Sequence, residues 1–380
     1  MFNLIVLHLL RAIFLLVARI FPQKEPPAEQ LAQGREKRIL LVATTAIGDT
    51  LMCSPAIRAV RQARPQARIV AMVDRRRTEL LASNPYIDDF IIHPGKFKKL
   101  ISLIKRLRRE RFDLVIILHA NDPDSVPLVY LSGAPVRVGW AESRFAFLLT
   151  RPVPKRNPPG HYIDLRGDFL AAAGIPMPSR KMDLFLPPSA ETEAAQFFQQ
   201  VNLASSDNLI GFHPFGSYPA KCWPMDPARD FLARVINETD CRIIIFGGKQ
   251  EKTSAEELAA AFPDRVISAC GRLSVMGAAG VLKHCRAIVT TDSGPMHLAL
   301  ALGLPTVALF GPASPDMFGG LDSVAPFFPL IVPLDCPRPC QIKVCRRHDC
   351  MRLLTPEMVM SAFRKITSSP HAPGISPPAE

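Results

Sequence analysis

The chain is 380 residues long, 48% apolar and 21% charged, too apolar for a disordered polymer and long enough to bury the cores of two or three domains. Its net charge of +12 is unevenly placed, with 29 Lys and Arg against 15 Asp and Glu in the first 181 residues and 17 against 19 in the rest. The basic half points to an anionic surface, whether lipid headgroups, a phosphorylated substrate or nucleic acid.

Residues 1–21 (MFNLIVLHLLRAIFLLVARIF) are strongly apolar, with no small-x-small cleavage site after them. At about 100° per residue His8, Arg11 and Arg19 fall on one side of a helix, which favours a helix lying in a membrane surface over one crossing it with Arg11 at mid-depth. The plainer reading is a helix capping an ordinary hydrophobic groove. Residues 22–36, with Pro22, Pro26, Pro27 and Gly34, read as a linker.

From Lys37 short apolar runs alternate with helical patterns. Strands are expected at 38–44, 68–73, 90–93 and 113–119, and helices at 50–63, 79–83 and 100–109. After Gly174-Ile-Pro-Met-Pro178 and Leu186-Pro-Pro188, the alternation resumes. A helix at 190–201 leads to strands at 208–213, 242–246, 266–268, 287–290 and 306–310, with helices at 227–237, 253–262, 274–284 and 296–302 between and after them. A last helix is expected near 357–366. This alternation predicts parallel sheets with helical crossovers. The expected units are a membrane-associating helix 1–21, a linker 22–36, domains 37–185 and 186–354, a helix 355–367 and a Pro/Ser-rich disordered tail 368–380.

Two strand-turn-helix junctions carry chemistry. Thr45-Ala-Ile-Gly48-Asp49 follows the first strand, and Thr291-Asp292-Ser293-Gly294-Pro295-Met296-His297 opens a helix whose first N–H groups attract phosphate. On residue types alone Asp49 is equally a general base or an ordinary N-cap. Lys221, in Ala-Lys-Cys-Trp-Pro, offers a cation to a diphosphate leaving group, a task often given to Mg²⁺. Asp122-Pro-Asp124 has the letters of a metal-binding pair but lies in the wrong half for a nucleotide. Ser293 and the N–H groups from Gly294 onward suit a diphosphate; His297, four residues on, shares the face of Ser293, and Asp292 is placed to orient that imidazole or meet a sugar. Gly247 and Gly248 end an apolar strand where a base or ribose could approach, followed by Lys249 and then Glu251. The segment 96–111 (KFKKLISLIKRLRRER) holds eight basic residues around an apolar stripe of Leu100, Leu103, Ile104 and Leu107; with Arg75, Arg76 and Arg77 it forms a candidate anion surface. Cys336, Cys340, Cys345 and Cys350 are spaced for one tetrahedral zinc ion, for two disulfides, or for four free thiols.

The strings ILLVATTAIGDTLMCSPAIRAVRQARPQARI, NPYIDDFI, DLVIILHAND, GHYIDLRGDFLAAAGI, HPFGSYPAKCWP, FGGKQE and TTDSGPMHLALALGLPTVALFGP, in that order, resemble glycosyltransferase family 9, the ADP-heptose:lipopolysaccharide heptosyltransferases. The resemblance runs from about residue 38 to 312 and continues weakly through CPRPCQIKVCRRHDCM. It implies an α/β GT-B fold of two facing Rossmann-like domains, here with an N-terminal apolar helix. It also implies an inverting glycosyltransferase that needs no catalytic metal or other cofactor and works on the cytoplasmic face of a Gram-negative inner membrane.

Carried onto matching positions, the resemblance makes Asp49 the base. Lys221, Gly247, Gly248, Glu251, Asp292, Ser293, Gly294, Pro295 and His297 become donor contacts, while the charge pattern of the front half makes Arg75, Arg76, Lys98, Lys99 and Arg106, together with His119, the expected acceptor or anion contacts. Lys249 stands where some members of the family have an acid. The expected partners are ADP-heptose, an anionic glycolipid and the membrane surface, with no nucleic acid. Another nucleotide sugar or glycan acceptor is the alternative within the class. An NAD-dependent oxidoreductase would need a GxGxxG turn with an acid about 20 residues on, which neither glycine turn supplies. A non-catalytic glycan-binding protein would have no use for both Asp49 and Lys221.

Overall fold

The computed structural model describes residues 4–20, 36–96, 98–119, 124–204, 208–323 and 325–368, with side chains from residue 7 onward. The expected linker up to residue 35, the tail from residue 369 and Asp122 lie outside the described residues. The chain divides into two compact units, Met1–Arg180 and Lys181–Glu380, the division falling inside the proline-rich stretch at 174–188.

The first unit opens with helix α1 (Leu4–Ile20) and then winds β1 (Arg38–Ala43), α2 (Ile47–Leu51), α3 (Ser54–Ala63), β2 (Arg68–Asp74), α4 (Thr78–Leu81), β3 (Asp89–His93), α5 (Leu100–Glu110), β4 (Leu114–His119), α6 (Ser125–Leu131), β5 (Val136–Trp140), β6 (Arg151–Val153) and α7 (Tyr162–Ala172). The six strands pair in parallel in the order β3-β2-β1-β4-β5-β6. The central strands are buried along their length, as expected where helices cover both faces. The helix expected at 50–63 is broken in two. Pro55 has no N–H to continue the ladder, so the first piece stops at Leu51 and a second starts at Ser54 with proline in its opening turn.

The second unit contains α8 (Pro188–Gln200), β7 (Leu209–His213), α9 (Met225–Glu238), β8 (Arg242–Ile245), α10 (Lys252–Ala260), β9 (Val266–Ser268), α11 (Val275–Lys283), β10 (Ala287–Thr291), α12 (Gly294–Leu302), β11 (Thr306–Phe310), α13 (Pro315–Phe318), β12 (Phe327–Ile331), α14 (Asp349–Arg352) and α15 (Pro356–Thr367). Its strands run β12-β11-β10-β7-β8-β9, all parallel. Helix starts follow capping chemistry. The Ser274 hydroxyl accepts from the Gly277 N–H at 2.9 Å and Thr355 from Met358 at 3.3 Å, while α12 ends at Gly303 in the left-handed conformation that glycine adopts without strain. The core around Phe212, Trp223, Phe231 and Phe363 ties α9 and α15 to the sheet, and the Trp223 indole N–H donates to the Leu354 carbonyl at 2.9 Å.

Both sheets have the doubly wound order in which the chain reverses direction between the first and fourth strands of the unit. Ligands of such sheets bind beyond the carboxyl ends of the strands at that reversal. It lies between β1 and β4 in the first unit and between β7 and β10 in the second.

Candidate active site: two paired switch points

In the first unit the β1–α2 turn carries Asp49 in the opening turn of α2. Ala46 holds the N-cap position and makes no side-chain cap bond, so the carboxylate is not the cap that its residue type allowed. It lies instead 3.0 Å (Oδ2) from Nε2 of His119, the last residue of β4. The pair therefore bridges the reversal point.

A slip in register makes this possible: β1 and β4 run in step to Val42↔Ile117, but Ala43 lies opposite His119 instead of Leu118. One residue of slip turns the side chain of His119 to the other face of the pleat. The side chain of Asp49 stays 20% exposed, open enough for a substrate, while that of His119 is almost covered.

The surroundings set the electrostatics. The ring of Tyr162 stands edge-on to His119 at 6.1 Å, and its hydroxyl pKa is raised by burial and by the Asp49 charge. Arg166, fully buried, lies over the ring of Tyr162 at 5.3 Å and donates to the Tyr162 carbonyl at 2.6 Å. The Cys53 thiol donates to the Asp49 carbonyl at 3.2 Å and is held protonated by burial. Tyr162 and Arg166 lie in the GHYIDLRGDF segment, whose i, i+4 spacing puts both on one face of α7. That spacing is the signal that could have singled them out.

The basic candidates divide. Arg75, Arg76 and Arg77 form a short turn at the carboxyl end of β2, capped by Asp74, which accepts from the Arg76 N–H at 2.9 Å. Arg77 reaches back to the Thr45 carbonyl at 3.3 Å and so braces the turn that carries Asp49; burial lowers its pKa. Lys98 and Lys99 precede α5, with Lys99 at φ 49°. Arg106 does not join them: its guanidinium donates at 2.8 Å to the carbonyl of Phe90, on the edge strand β3. A crossover helix runs back along its sheet, so its later turns leave the strands' carboxyl ends.

In the second unit the loop after β7 folds over the end of β10. Lys221 Nζ lies 2.5 Å from Oδ2 of Asp292 and 3.2 Å from its carbonyl, and 5.7 Å from the Tyr218 ring centroid. This pair also bridges the reversal of its sheet. Asp292 thus has its carboxylate on Lys221. Gly216 lets the loop close: a Cβ there would fall 2.5 Å from Lys221 Cβ and 3.0 Å from its backbone carbon. A hydrogen bond from the Thr291 hydroxyl to the Phe215 carbonyl holds the loop to the strand.

Ser293 precedes α12 in extended conformation, and its hydroxyl donates to the Thr291 carbonyl at 3.1 Å. The diphosphate-binding capacity of this turn therefore rests chiefly on the first N–H groups of α12, with Pro295 in the opening turn and His297 buried one turn in. Gly247 and Gly248 follow β8, where Gly247 leaves room for the Cys270 sulfur, which a Cβ would meet at 2.7 Å. Glu251 turns back to accept from the Gly248 N–H at 2.8 Å. Buried His213, at the end of β7, contacts the Phe246 carbonyl through Nδ1 at 2.8 Å, and its pKa is lowered by burial.

The zinc expectation is corrected. Among the described residues no three His, Cys, Asp or Glu side chains gather in a way that could hold a metal ion. Cys336, Cys340, Cys345 and Cys350 are free thiols.

Residues 100–340 match the family model described as Glycosyltransferase family 9 (heptosyltransferase). The chain is 30% identical over 300 residues to lipopolysaccharide heptosyltransferase 2 of Escherichia coli K12, covering 73% of this chain and 84% of that protein. It is 31% identical over 297 residues to lipopolysaccharide heptosyltransferase 2 of Salmonella typhimurium LT2, with the same coverage. Among solved structures, a family 9 glycosyltransferase of Veillonella parvula superposes with a TM-score of 0.77 at 23% identity, covering 87% of this chain and 97% of that one. ADP-heptose lps heptosyltransferase II of E. coli gives 0.70 at 23%, covering 87% and 98%. These likenesses carry the fold.

Proposed function

The chain belongs to glycosyltransferase family 9, and from that premise we propose that this glycosyltransferase moves a heptose from ADP-heptose to the inner core of lipopolysaccharide, with inversion at the anomeric carbon and without a catalytic metal ion. The carrying observation is that each sheet brings two chemistry-bearing side chains together across its own reversal point: Asp49 with His119 in the first unit, Lys221 with Asp292 in the second. The first unit takes the acceptor and the second the nucleotide sugar.

In this reading the Asp49 carboxylate removes the proton from an acceptor hydroxyl as its oxygen forms the bond to the anomeric carbon, and His119 fixes the orientation of the carboxylate. The bond between that carbon and the diphosphate oxygen breaks, and the electron pair leaves with ADP. Lys221 and the N–H groups at the start of α12 receive the charge that develops there, the place a metal ion would otherwise take. Asp292 holds the ammonium in position until the diphosphate arrives. Arg75 and Arg76, at the same sheet end as Asp49, meet the anionic acceptor, and the reaction runs at the cytoplasmic face of the inner membrane.

Calorimetric titration with ADP, UDP, GDP and NAD, each with and without EDTA, tests the reading. The expected result is ADP binding that EDTA leaves unchanged. Tight NAD binding with no nucleoside diphosphate binding would overturn it.

A further inference from the structure

Helix α1 has three faces, and only two have an evident use. Leu10, Phe14, Val17 and Ala18 pack into the core of the first unit, with the ring of Phe14 edge-on to Phe145 at 6.0 Å and to Tyr130 at 6.3 Å. His8, Arg11 and Arg19 are exposed on a polar side. About a third of a turn from the docked face, Leu9, Ile13, Leu16 and Ile20 recur at i, i+4, i+7 and i+11 and so form one straight stripe. All four are between 48% and 62% exposed. A helix fixed to a soluble surface normally turns polar residues outward; this one turns out a second apolar stripe with basic residues along its flank.

The same face of the sheet carries a second such surface. Helix α5 sends Leu103 and Leu107 into the very cluster that receives Phe14, and leaves Lys105, Arg106, Arg108 and Arg109 exposed. Ile101, 74% exposed, stands in its first turn beside a shallow depression lined by Lys99, Ser102, Lys105 and Arg109. This is where the positive surplus of the front half becomes a surface. Hydrocarbon and phosphate at one boundary are what an anionic bilayer offers. A symmetric second copy would set these cations against their own images.

Among the described residues no helix is long and apolar enough to span a membrane; with Leu10, Phe14, Val17 and Ala18 packed on the first unit, α1 has its second apolar stripe left to offer a bilayer.

We propose that this face of the first unit docks on an anionic lipid bilayer, with Leu9, Ile13, Leu16 and Ile20 seated at the boundary between headgroups and acyl chains, α1 lying in the membrane plane, and Lys105 and Arg109 of α5 on headgroup phosphates. The inference deepens the proposed function by fixing which surface meets the membrane. It stands on the geometry of α1 and α5 alone, so failure of the transfer reading leaves it intact.

The test is co-sedimentation of the full chain with vesicles of phosphatidylcholine alone and of phosphatidylcholine with phosphatidylglycerol, free lipid A being absent from both. The wild-type chain binds the anionic vesicles, more weakly as salt rises. Ile13→Glu/Leu16→Glu lowers partitioning into both kinds of vesicle by at least about tenfold. Lys105→Gln/Arg109→Gln lowers binding to the anionic vesicles by at least about fivefold and leaves the weak neutral binding unchanged. Unaltered ADP affinity and unfolding transition show that the variants are folded. Failure of the wild-type chain to bind either vesicle, equal binding by the Glu variant, or a dimer that the Glu variant dissolves without any lipid binding would overturn the proposal.

Discussion

The two reversal points share a topology and differ in chemistry. In the first unit a carboxylate is met by an imidazole, and in the second an ammonium is met by a carboxylate at the start of a helix. The first arrangement presents an oriented proton acceptor, the second a positive seat for an anion. The winding of the sheet decides where a site forms, and the residue pair across the reversal decides what it can do.

Substitutions that remove one pair and spare the other break this comparison most sharply. Lys221→Ala should weaken ADP binding by about 10²–10³-fold, because it deletes the anion's counter-charge and strands the buried Asp292 carboxylate; titration calorimetry measures it, and Lys221→Ala/Asp292→Asn should recover the lost stability but not the affinity. Next, Gly216→Ala forces a methyl group into Lys221 and should cost about 1–3 kcal/mol in denaturant unfolding together with ADP affinity. His119→Ala should lower kcat about 10–100-fold with ADP affinity unchanged, since it releases the orientation of Asp49 and leaves the second pair alone.

The smallest effect concerns pH. Burial lowers the His213 pKa from 6.5, so below that value the unfolded chain binds a proton that the folded chain refuses. This part of the stability is complete above pH 6.5 and is lost as the pH falls, at no more than about 1.4 kcal/mol per pH unit. Denaturant midpoints from pH 7 downward should therefore fall less steeply in His213→Gln than in the wild-type chain.

The alternation of strands and helices was legible wherever a strand is an unbroken apolar run, as in β1, β4, β8 and β10. Three of the elements missing from the sequence reading carry a local contradiction that tertiary structure overrides. β12 contains Pro329, and β6, of three residues, contains Pro152; both sit at sheet edges, where a missing N–H is tolerated. Helix α7 carries Gly167 in its interior. Asp49, His119, Lys221 and Asp292 were each recognisable as chemistry-bearing residues. Their pairing was not, because it depends on strand order and, for His119, on a one-residue slip in register that no local pattern encodes. The four late cysteines left zinc, disulfides and free thiols open for the same reason: spacing shows which side chains could meet, and only the packing, which leaves them free thiols, shows which do.

The most direct test is a paired measurement on Asp49→Asn and Lys221→Ala: single-turnover transfer from ADP-heptose to a lipopolysaccharide inner-core acceptor, alongside ADP affinity. The account predicts that Asp49→Asn loses about 10²–10⁴-fold in rate while binding ADP as the wild-type chain does, and that Lys221→Ala loses ADP affinity. Normal turnover in Asp49→Asn, or ADP affinity lost with Asp49 and kept without Lys221, would contradict it.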